Sequence, residues 1–146
     1  MDIVGQVVNA IVNLHPWHVP MVHFPIGLTG GAFLFIVLAR WRRSESLEHA
    51  AFYAITLAAA ATVLAGLTGL RDNAVRFEGG APLVPVKIFL AVTLLVLTAA
   101  IALSRWRRPG LLWTPATTVI TIGAFGASFL LAVTLGFLGG VILYGI

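Results

Sequence analysis

Cysteine is absent from all 146 residues, which excludes disulfides, thiolate-ligated zinc or iron–sulfur centres, thiol catalysis and haem attached covalently through paired cysteines. Charge is nearly as scarce. Only 10% of the chain is Asp, Glu, Lys or Arg, too little for the mixed surface of a soluble domain. No serine nucleophile with a base, HExxH pair, phosphate-binding glycine loop or paired acids within an apolar run occurs, so no enzyme and no catalytic residue is expected. A cleavable signal peptide is not expected either, because Asp2 stands where a positive n-region belongs and the first span must direct insertion. The pI near 10.8 rests on a net charge of +4. Its arginines gather at the ends of apolar runs, which marks membrane topology and argues against a nucleic-acid partner.

What the chain has in abundance is apolar length. It is 60% hydrophobic with a mean hydropathy of +1.02, and residues 22–39, 50–70, 83–103 and 117–144 form four apolar runs. A bilayer core of roughly 30 Å takes about 20 helical residues to cross. The expected fold is an all-α integral membrane protein, a four-transmembrane-helix bundle in one domain. A short interfacial helix is expected over residues 3–13, where Val4, Val7, Val8 and Ile11 share a face opposite Asp2, Gln6 and Asn9. Arg40, Arg42 and Arg43 fall on the same side as Arg105, Arg107 and Arg108. The positive-inside rule puts that side in the cytoplasm and both termini outside, with Trp41, Trp106 and Trp113 at or near the cytoplasmic interface.

Helices in lipid associate through close contact of small residues. Seams are expected at Gly27, Gly30 and Gly31 in the first span, from Ala54 through Ala58, Ala61 and Ala65 to Gly69 in the second, and at Gly123 and Gly126 in the fourth, followed by Gly136, Gly139 and Gly140. The third span is bulkier and is expected to face lipid or a partner subunit.

The stretch "LHPWHVPMVHFPIGL" concentrates three of the four histidines, His15, His18 and His23, among Pro16, Pro20 and Pro25 at the entrance to the first span. Three readings stand. The imidazoles bond to backbone carbonyls freed by proline; or His23, with Gly27 and Gly30 continuing its face, ligates the iron of haem b or the magnesium of a chlorophyll; or the site serves a quinone or a proton. A second axial ligand would have to be His15 or His18, since His49 lies at the opposite end of the second span. Arg71, Asp72 and Lys87 lie at the depth of the histidines and form a candidate polar cluster, an ion pair holding helix ends together. No metal site is expected.

"HVPMVHFPIGL" (18–28) and "LTGLRD" (67–72) resemble the bacterial membrane family known as domain of unknown function 2231. His18, Val22, His23, Phe24 and Pro25 fall on its HPxxVHFPIxL entrance pattern, while Val19 stands where a proline is usual and His15-Pro16 offers a second alignment. Similar chains often carry a histidine near the start of the third span, where this one has Lys87. The resemblance implies four hydrophobic helices in a bacterial inner membrane and no transferable activity. With small size and no extramembrane domain, the expected role is an accessory noncatalytic subunit of a photosynthetic or respiratory electron-transfer complex, partnered by lipid and other membrane subunits and most simply without a cofactor. The alternative is a b-type cytochrome-like, pigment-binding or quinone-site protein using the histidine motif.

Overall fold

The computed structural model describes residues 2–10 and 16–144. Five helices account for most of them: α1 (Ile3–Asn9), α2 (His18–Arg42), α3 (Glu45–Phe77), α4 (Val84–Arg107) and α5 (Pro115–Tyr144). The last four are long and apolar enough to cross a membrane, and no strand occurs among the described residues. Each spanning helix outruns the apolar run that announced it, and α3 does so by a full turn at both ends. Residues 11–13 of the expected interfacial helix lie outside the described residues, as does His15.

Local chemistry sets the helix ends. Asp2 caps α1, its Oδ1 accepting from the Gly5 N–H at 2.8 Å. The α2–α3 corner needs only two residues: Arg43 turns left-handed at φ 51°, and Ser44 caps α3 with Glu45 and Glu48 in the first turn, where carboxylates suit the positive helix end. At the far end of α3, Glu78 and Gly79 both take positive φ, and the Asn73 carbonyl accepts from the Gly79 N–H. Pro85, at the start of α4, costs that helix no hydrogen bond. The α4–α5 loop is pinned by Thr117 and Thr118, whose hydroxyls donate to the Leu111 and Leu112 carbonyls.

The spanning helices form a ring in which α2 packs on α3 and α5, and α4 packs on the same two. The core sits toward the arginine end, where Ala32, Ile36, Ala39, Ala51, Ile55, Ile101, Leu112 and Phe125 form one buried cluster. Around the outside, large apolar side chains such as Phe24, Leu57, Phe89, Val119 and Phe137 are exposed, as a lipid-facing surface requires. Trp41 and Trp106 project outward at the arginine end with 76% and 75% exposure, at the level where indole rings favour the headgroups.

Small residues govern two of these contacts. On α3 the buried stripe is Glu48, Ala51, Ile55, Ala58, Thr62, Ala65 and Asp72, with Ala54 and Ala61 on its flank. Between α2 and α5, a Cβ on Gly30 would meet the Phe129 ring at 3.0 Å and one on Gly126 the Phe33 ring at 3.2 Å. The two rings stack between these glycines with centroids 6.5 Å apart. Gly27, Gly31 and Gly123 have open space beside them.

Candidate functional site

The histidine end of the ring is less filled. A cavity of about 420 Å³ opens there among α2, α3, α4 and α5, apolar along most of its wall and bordered by His18, Asp72, Arg76 and Lys87. Three of the sequence candidates are thereby gathered.

Asp72 organises the mouth. It is 6% exposed although charged, and its two oxygens are separately engaged: Oδ2 accepts the backbone N–H of His18 at 2.9 Å, and Oδ1 accepts from the Arg71 guanidinium at 2.9 Å. Trp17, the N-cap of α2, offers no side-chain cap. A carboxylate from the neighbouring helix therefore does that work, satisfying an N–H that has no partner within its own helix and opposing the positive helix end.

His18 is then folded against α3. Its Nδ1 lies 2.9 Å from the Ala65 carbonyl; a carbonyl can only accept, so Nδ1 carries a proton and donates it to that bond. A Cβ on Gly69 would stand 3.0 Å from the ring. Gly69 is what lets an imidazole lie on α3. The two stretches that carried the family resemblance thus meet here: His18 of "HVPMVHFPIGL" rests on Gly69 and is tied to Asp72 of "LTGLRD".

Lys87 enters the cavity one turn into α4. Its Nζ stands 3.8 Å from where a Gly139 Cβ would be, and among the described residues it forms no hydrogen bond or ion pair. His23 takes a different position. It is exposed on the outside of α2 beside Gly27, and its Nδ1 donates to the Val19 carbonyl one turn back at 2.7 Å. His23 and His18 therefore face different surroundings; of the glycines that continue the His23 face, Gly27 has open space beside it and Gly30 abuts Phe129. Pro25 is buried within α2, and the Thr29 hydroxyl donates to its carbonyl at 2.6 Å.

A second polar cluster, not foreseen in the sequence, lies at the arginine end. Glu48, 3% exposed, accepts a two-pronged hydrogen bond from Arg105, Nε to Oε1 at 2.8 Å and Nη2 to Oε2 at 2.7 Å. The guanidinium also covers the Phe52 ring at 4.8 Å. His49 donates from Nδ1 to the Glu45 carbonyl and presents Nε2 to Arg105 at 3.3 Å. This clasp joins α3 to α4. The available signal was an acid one turn inside α3 and a basic residue closing α4 at the same end of the bundle. Among the described residues no group of three or more His, Asp or Glu side chains could hold a metal ion.

The family described as predicted membrane protein (DUF2231) matches residues 14–144. The chain belongs to that family. The match takes in all four spanning helices, the cavity and both polar clusters. No curated protein and no solved structure matches the chain.

Proposed function

We propose that this DUF2231 protein is a noncatalytic membrane protein that holds an amphiphilic molecule in its histidine-end cavity, polar head beside His18 and Lys87 and apolar tail between the helices. The cavity itself carries the reading: its volume of about 420 Å³ falls in the range of small-molecule sites, roughly 300–1,000 Å³, and its charged groups are confined to one end. A quinone-type occupant belongs to the same reading. Haem or chlorophyll on His23 draws less support, since that ring is on the outer surface and His18 is committed to α3. The test is solvent extraction and an absorption spectrum of the chain purified in mild detergent, beside a variant with the cavity filled by Ala91→Trp, Ala91 lining it from α4. One amphiphile per wild-type chain, lost in the folded variant, supports the reading; a chain empty in both overturns it.

The accessory-subunit reading, with a photosynthetic or respiratory electron-transfer complex as partner, is favoured by α4. Only Leu94, Thr98 and Ile101 of that helix are buried, while Phe89, Val92 and Val96 are exposed. Stoichiometric copurification with a pigmented or redox-active complex is its expected outcome. For orientation, the six arginines at one end argue for that end in the cytoplasm of a bacterial inner membrane, and for the histidine end and both termini outside.

A further inference from the structure

Among the described residues, the Lys87 ammonium at the cavity mouth has no ion-pair partner. Asp72 is engaged at both oxygens, by the His18 backbone N–H and the Arg71 guanidinium, and His18 donates its Nδ1–H to the Ala65 carbonyl. Lys87 is left. It is half-buried and its ammonium makes no hydrogen bond or ion pair among the described residues, with Arg76 bordering the same cavity. An ammonium held among apolar helices is costly unless an opposite charge and acceptor atoms meet it. A neutral head would provide acceptors without the charge. A phosphate supplies both, and supplies the charge in full only where its own headgroup carries no cation to offset it.

The remaining wall indicates what is attached to that anion. From the mouth, the cavity continues past Val22 and Ile26 of α2, Leu95 of α4 and Leu135 of α5 toward Thr62 of α3. The ten helical steps from Thr62 to Asp72 cover roughly 15 Å, so the shaft reaches well into the bilayer core. On that side of α5, Gly136 lets the Ile26 side chain and Gly139 lets the Lys87 side chain lie close to the helix backbone.

Building on the reading of the cavity as a ligand site, we propose that its occupant is an anionic phospholipid of the surrounding bilayer, its phosphate on Lys87 and one acyl chain in the apolar shaft. Basic pockets between membrane helices are the kind of site that selects acidic headgroups.

Full-length protein, delipidated in mild detergent, is tested by native mass spectrometry with phosphatidylglycerol and with phosphatidylcholine of identical acyl chains. Phosphatidylglycerol is expected to be retained about tenfold more strongly. Lys87→Gln should erase the preference and Lys87→Arg should keep it, with thermal melts showing both variants folded. Equal retention of the two lipids by wild type, both lost with Ala91→Trp, overturns the anionic assignment and leaves the cavity reading standing. A preference unchanged in folded Lys87→Gln also overturns it, placing the lipid elsewhere. Retention of neither lipid, or retention indifferent to Ala91→Trp, overturns this proposal and removes the support that lipid occupancy lends to the cavity reading.

Discussion

Single side chains at the two ends of the bundle do different work. At the arginine end, Glu48 is buried and doubly bonded to Arg105, and removing one member of a buried pair leaves the other uncompensated. Glu48→Ala is expected to cost about 3 kcal/mol, read as a lower melting temperature in detergent, while Glu45→Ala on the exposed side of the same turn should change little. At the histidine end the sensitive residue is a glycine. The His18 ring that Gly69 accommodates is tethered to the Ala65 carbonyl, so it cannot yield to a new methyl without losing that bond. Gly69→Ala is therefore expected to destabilise the fold by about 1–2 kcal/mol, against the ordinary helix preference for alanine. A melting temperature at or above wild type would contradict this. Of the three entrance histidines, His15 lies outside the described residues, and the residue pattern favoured His23, with Gly27 and Gly30 continuing its face, over the His18 that borders the cavity. The choice turns on which ring points inward, and spans that are apolar on every side carry no stripe to report it.

The same difficulty operates on whole helices. That four helices span could be read from hydropathy. The rotation of each helix about its axis could not. Gly27 and Gly30 look equivalent in sequence, yet one has empty space beside it and the other abuts the Phe129 ring. That ring cannot easily retreat, because it stacks on Phe33, which is itself seated on Gly126. Gly27→Ala is expected to be neutral or to stabilise by about 0.5–1 kcal/mol through helix propensity, and Gly30→Ala to destabilise by a similar amount or more. Opposite shifts in paired thermal melts are the check. In α3 the buried face is marked by Ala51, Ile55, Ala58 and Thr62, with the expected Ala54 and Ala61 beside it, again a matter of rotation.

At the scale of the molecule, the ring is asymmetric from end to end: packed and clasped where the arginines lie, open where His18, Asp72 and Lys87 converge. A chain without cysteine is its own background for testing how that asymmetry lies across a membrane. Under the proposed orientation, Glu78→Cys is expected to react with a membrane-impermeant maleimide in intact cells, and Ser44→Cys only after permeabilisation. The reverse pattern would invert the topology and place the cavity mouth at the cytoplasmic face.

Hydropathy and charge along the chain were sufficient for the membrane class, the number of spans and their alternation, because each depends on transfer free energies summed over some twenty residues, whereas the family was legible in the particular residues of the entrance motif. Even the two polar clusters had visible members, since a charged residue near a span end needs a partner somewhere. Their pairing was not legible. Glu48 with Arg105, Asp72 with the first N–H of α2, and Lys87 with an open cavity depend on how four uniformly apolar cylinders are turned and seated against one another. That seating is governed by ring-to-glycine contacts a few tenths of an ångström in tolerance, which no property averaged along a sequence contains.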